Sequence, residues 1–197
     1  MSRTTKYKLA YISALLALLI LVGVIVILLG ASFWVLFTCG LVLLVPGRIQ
    51  GIYYRDLFTG RRLLDEGKPD QAIPFIERFL SSIAQHPQRS KLLWLSGVIY
   101  TPSVVAMAKN NLGVARLELG LTEEAERAFT SALDEDSMYP VPYFNMAIIQ
   151  EMRGNRPEAE QALERARQLG FTGGTLDSII RKSQQLLSRM QGKPPIL

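Results

Sequence analysis

Cys39 and His86 are the single cysteine and the single histidine of the chain, and those counts dispose of most site chemistry. They exclude an intramolecular disulfide and a zinc site built from several Cys and His ligands. They also exclude a cooperating Cys–His nucleophile and base, unless His86 serves some other nucleophile. Carboxylates come closest to a catalytic grouping: Glu123, Glu124 and Glu126, then Asp134, Glu135 and Asp136, have the proximity that a general acid and base need. Both sets fall on expected helix ends and exposed faces, where acidic side chains are solvated charges. The sequence carries no glycine loop followed by Lys-Ser or Lys-Thr for phosphate, no nucleophile elbow and no metal-ligand constellation. The expectation is therefore a non-enzymatic chain with no catalytic residue, no cofactor and no metal.

What remains is recognition by surfaces, so the elements that build surfaces matter most. Asn111-Leu112-Gly113 leads through Gly120 and Ala125 to Phe129 and Ala132, and about 34 residues later Asn145-Met146-Ala147 leads through Gly154 and Ala159 to Leu163 and Ala166. An earlier copy keeps the same internal offsets with Gly60, Gly67, Ala72, Ile76 and Phe79, separated from the second by an insert at 87–105. The pattern describes pairs of antiparallel helices. A small residue (Gly60, Gly113, Ala147) lets the helices approach, the second glycine takes the turn, and an alanine on the facing helix permits a close crossing. Pro69, Thr122 with Glu123 and Glu124, and Pro157 are helix-start signals just after each turn.

This arrangement resembles the tetratricopeptide repeat family, closely in the second and third copies. Arg116 stands where that family usually has an aromatic, and the first copy diverges with Pro74 and Phe79. The resemblance implies three repeats over 53–172 (53–86, 106–139 and 140–172), and protein or peptide binding in a concave groove lined by the first helix of each. The groove residues it implies are Tyr54, Leu57, Arg61 and Leu64, then Met107, Asn110, Val114 and Leu117, then Val141, Phe144, Ile148 and Glu151. The branch that clamps chaperone C-termini is not matched: Asn111 fits one clamp position, but Leu57, Arg61, Val141 and Asn145 occupy the others. Asn111 and Asn145 read instead as buried amides bonding between helices. Beyond the repeats, Thr175 can cap a helix whose Leu176, Ile179, Ile180, Leu186, Leu187 and Met190 share a face, and residues 173–197 read as a capping helix and tail over the last repeat.

The insert holds a dense apolar cluster from Leu92 to Tyr100. It can extend and pack on the neighbouring helices, or touch a membrane interface or a partner through Trp94, Ile99 and Tyr100, or lie in the groove of its own chain. At the other end, no charge interrupts residues 9–47, while Arg3, Lys6 and Lys8 precede and Arg48 follows. About 38 residues of helix would run roughly 57 Å, nearly twice a hydrocarbon core of about 30 Å. The expected organisation is a basic tail at 1–8, a transmembrane helical hairpin at 9–47 turning at Gly30-Ala31-Ser32, and a linker at 48–52, with a single tilted span or a cleaved signal as rivals. Basic residues on both flanks place the repeats in the cytoplasm and the protein in a bilayer, read as a bacterial inner membrane. Most of the net charge of +5 sits at that boundary, so no basic face remains for nucleic acid.

The fold class expected is thus all-α: a transmembrane hairpin followed by a superhelix of helix pairs with a C-terminal cap. The function expected is a membrane-anchored scaffold that recruits or assembles a protein partner. The alternative is a structural subunit of a larger membrane complex, held by the hairpin. Ala10, Ser13, Ala14 and Ala17 form a small-residue stripe that suits packing of the two spans or a homo-oligomer.

Overall fold

The computed structural model describes residues 3–28, 34, 38, 48, 51–96 and 101–192, and among them every regular element is helical. The first, α1 (Arg3–Leu28), is a single helix of 26 residues. From Leu9 onward it is built from leucine, isoleucine, valine, alanine and glycine apart from Tyr11 and Ser13, and its described apolar side chains are mostly exposed. Among the described residues α1 shares no extensive packing with the other helices.

The expected transmembrane hairpin is corrected here, and with it the integral-membrane placement. Among the described residues no helix is long and apolar enough to cross a membrane. A span needs about 20 consecutive apolar residues. Of the second limb of the hairpin, only Trp34 and Thr38 belong to the described residues.

Three helix pairs follow. The first is α2 (Arg55–Asp65) with α3 (Pro69–Gln85), the second α4 (Val104–Glu118) with α5 (Thr122–Glu135), and the third α6 (Pro140–Met152) with α7 (Arg156–Gln168). Each pair is closed by the same turn. Gly67, Gly120 and Gly154 have φ of 71°, 78° and 79°, a left-handed conformation that costs a side chain but not glycine. In each turn the N–H after the glycine reaches back five residues, from Lys68 to the Leu63 carbonyl, Leu121 to Arg116 and Asn155 to Gln150, at 2.8–2.9 Å. The glycine N–H bonds the carbonyl three residues earlier, which completes a Schellman cap and satisfies carbonyls that a helix end leaves open.

The pairs stack in order, α3 against α4 and α5 against α6, around two apolar clusters. Tyr54, Leu57, Ile76, Phe79, Val104 and Ala108 form the first. Leu117, Phe129, Ile148, Ile149, Leu163 and others form the second. Pro87–Ser96 continues from α3 as a 3-10 helix, held by the Tyr54 hydroxyl, which donates to the Arg89 carbonyl at 2.8 Å and to that of Ser90 at 3.2 Å. Arg89 lies over the Tyr53 ring at 4.7 Å and donates to the Ser82 hydroxyl. The side chain of Trp94, with all of Ile99 and Tyr100, lies outside the described residues.

The start of α4 is fixed twice. Ser103 accepts from the Ala106 N–H as the N-cap, and the buried Thr101 donates to Asp136 at 2.7 Å, tying the end of the insert to the corner between α5 and α6. Arg116, at the position that departs from the family pattern, instead joins three helices by pairing with Glu77 of α3 and Glu124 of α5, each at 3.4 Å. The last helix, α8 (Leu176–Met190), carries a capping box in which the Ser178 N–H bonds the Thr175 hydroxyl and the Thr175 N–H bonds the Ser178 hydroxyl.

Candidate functional site

The twelve residues assigned to a groove separate by burial. Tyr54 and Leu57 lie inside the first core cluster, Leu117 and Ile148 inside the second, and Asn110 is buried between helices. Arg61 is exposed, while Leu64, Met107, Val114, Val141, Phe144 and Glu151 are half-buried. Leu64 and Met107 rest on the first cluster, and Val114 and Phe144 on the second. Glu151 is engaged by Arg156 at 2.9 Å. The face that remains is therefore narrower than the sequence pattern implies: Val114 on α4 and Phe144 on α6, floored by Leu117 and Ile148.

Asn110, assigned to the groove, is turned into the interior. Its carbonyl oxygen accepts from the Asn145 side-chain amide at 2.9 Å, in a buried bond between α4 and α6. The bond takes Asn145 as expected, but its partner is Asn110 and not Asn111, whose side-chain nitrogen is buried without a partner. Replacing Asn145 with alanine strands the Asn110 carbonyl in the interior and is expected to cost about 1–3 kcal/mol. The check is the urea midpoint of the variant against the parent; an unchanged midpoint would show that the pair contributes nothing.

The second and third pairs are also joined across their outer side by Arg153 and Glu126 at 2.7 Å. The hydrogen bond that Arg153 donates to Glu126 raises the affinity of its guanidinium for the proton, burial works against that rise, and the Glu126 charge adds to it. Among the described residues no group of three or more His, Cys, Asp and Glu side chains could hold a metal ion.

The face of α4 and α6 already holds a helix. Gly170, with φ of 95°, stops α7 in a fourth Schellman cap. The chain then turns past Phe171, whose ring stacks on Phe144 at 4.8 Å between centroids. Gly174 follows against the same Phe144 ring, so closely that a Cβ at that position would collide with it. From there α8 packs along α6, with Ile179 and Leu186 buried in the cluster that contains Leu117 and Ile148. It ends at the C-terminus of α4: Lys182 and Arg189 both pair with Glu118, the latter at 2.7 Å, and Met190 lies beside Gly120.

A helix covering the last pair was expected, and α8 lies on the first helix of that pair, α6. The far side of the third pair is left as an open cleft of about 500 Å³ lined by Tyr143, Met146, Ala162 and Arg165, among others. Ile179 and Leu186 are buried in one cluster with Leu117 of α4 and Ile148 of α6, and Val114 and Phe144 pack against it. Glu118, Lys182 and Arg189 complete the site and were not singled out from the sequence. Their signal is visible in retrospect: two cations one side of an aliphatic strip, and a lone carboxylate at the end of the first helix of a pair.

No family model matches the chain, and no curated protein matches it. The resemblance to tetratricopeptide repeats has no support from such a match and stands on the residue offsets alone.

Proposed function

We propose that the stacked helix pairs are a non-enzymatic binding scaffold that takes a helical segment of a protein partner on the face formed by α4 and α6. One observation supports this reading above the others. The face accommodates an amphipathic helix of 15 residues, α8, through Ile179 and Leu186 against Leu117, Ile148 and their neighbours. A surface with the width, apolarity and terminal charge to hold one such helix suits recognition of the helix-in-groove type, in which anchors recur at i, i+3 or i+4 and i+7. The resemblance to tetratricopeptide repeats implies use of the same face.

Affinity co-purification tests the reading, with the intact chain compared against a Val114→Lys plus Phe144→Lys variant whose helicity has been checked. Each lysine puts a charge into an apolar contact, at a cost of at least about 1–3 kcal/mol, so the pair is expected to weaken capture by more than about tenfold. A partner held equally by both chains would remove this face as the working surface.

A further inference from the structure

We infer that α8 is a displaceable self-ligand: it occupies the binding face in place of a partner's amphipathic helix, and its own register states what that partner helix looks like. The inference rests on the binding reading above and names the ligand class and the regulation of the same site.

Three features separate α8 from a seventh structural helix of the stack. First, its place breaks the stacking order. Each earlier pair packs through the second helix of one on the first helix of the next, as in α3 on α4 and α5 on α6, whereas α8 packs along α6 and leaves the cleft at the end of the third pair open. Second, it is tethered and locally self-sufficient. The segment from Gly170 to Gly174 is rich in glycine, and α8 starts from its own capping box at Thr175 and Ser178. It carries Asp177 in its first turn and Arg189 in its last, both favourable to the helix dipole. Third, its contact with the face has the composition of a recognition interface. Leu176, Ile179 and Leu186 meet an apolar strip, Ser183 is buried among them, and two cations converge on Glu118.

The partner segment is thus an amphipathic helix with aliphatic residues at the spacing of Leu176, Ile179 and Leu186 and with basic residues three positions on from the last two. Glu118 reads the charge. Because the face is filled from within, the partner competes with a tethered helix, and its apparent affinity is reduced by the fraction of time the face is free. For a helix docked roughly 90–99% of the time that factor is about 10- to 100-fold.

The probe is a fluorescently labelled peptide with the sequence of residues 175–191, titrated by anisotropy into the full chain in a mild non-ionic detergent that covers the exposed side chains of α1. The parent is compared with an Ile179→Asp plus Leu186→Asp chain, whose own α8 is released. The expected result is binding to the released chain about 10- to 100-fold tighter than to the parent. Peptide carrying Lys182→Glu and Arg189→Glu should bind more weakly to that chain and regain affinity when Glu118 is changed to lysine. Absence of peptide binding to the released chain, with the amides of α4 to α7 still protected from exchange, overturns the inference.

Should the double substitution unfold the third pair, a protease site placed between Thr172 and Gly173 of the parent sequence replaces it. After cleavage the labelled peptide must exchange for the native segment, and failure to exchange overturns the inference equally. The two readings fail separately. Peptide binding with partner capture indifferent to Val114→Lys and Phe144→Lys leaves α8 a self-ligand and removes the partner reading. No peptide binding with capture still lost in that variant does the reverse.

Discussion

Replacing Phe129 with alanine is expected to lower the stability of the helix pairs by about 3–5 kcal/mol, the range for truncating a fully buried aromatic. The ring is wholly buried on α5, and its position is set by the one residue on α4 that has no side chain. A Cβ built on Gly113 would meet Phe129 Cε1 at 2.5 Å and Cδ1 at 2.6 Å, well inside contact distance, so the ring lies directly on the α4 backbone. Gly113→Ala should therefore also destabilise, by about 1–3 kcal/mol for an overpacked site. The two changes are not independent. In a Phe129→Ala background the alanine at 113 has space to occupy, and a double-mutant cycle should show favourable coupling of at least about 1 kcal/mol. Urea unfolding of the four chains measures it. Strict additivity would mean that the ring and the glycine do not share one packing site, and the account of why a small residue recurs at Gly60, Gly113 and Ala147 would fail with it. Gly60 makes the same kind of approach, its Cβ position lying 2.6 Å from Ile76 Cγ1.

Those small residues explain why the helix pairs were legible in the sequence and the site was not. Gly67, Gly120 and Gly154 take a backbone conformation that other residues resist, and the hydrogen bonds around them depend on main-chain atoms alone. Constraints of that kind are local and recur at a fixed spacing, so they can be read from residue types. The groove depends on how much of each first helix the neighbouring pair covers, which no spacing states. Tyr54, Leu57 and Asn110 carry the register of groove residues yet are turned into the interior. Asn110 is there because its amide has a partner on α6, at Asn145. The place of α8 was illegible for a further reason. An amphipathic helix after the last repeat fits either the end of the stack or its inner face, and the choice rests on a few contacts distant in sequence, among them Lys182 and Arg189 with Glu118. The apolar N-terminal stretch misled in a simpler way. Composition and flanking charge supply a length and an orientation, while the structure gives one helix to Leu28 and, among the described residues, none able to cross a membrane.

Tyr54 joins both lessons, and truncating it to alanine is expected to be the other large loss, again about 3–5 kcal/mol. The side chain is fully buried, its ring edge-on to Phe79 at 5.4 Å and near Phe58 at 6.2 Å. Its hydroxyl is a polar tie between the first pair and the 3-10 helix of the insert, through the carbonyls of Arg89 and Ser90, beside the bond from Arg89 to Ser82. Tyr54→Phe separates the two contributions. It keeps the ring and removes only the hydroxyl, so it should cost about 0.5–1.5 kcal/mol, and amide exchange should quicken at residues 87–91 while α5 to α7 are unaffected. Tyr54→Ala should quicken exchange throughout α2 and α3 as well. A groove residue would respond differently, since losing its hydroxyl or ring would weaken partner capture with little change in stability. Tyr54→Phe is expected to leave capture as it is in the parent. A loss of capture without a loss of stability would return Tyr54 to the binding surface, and would require the first pair to open around it.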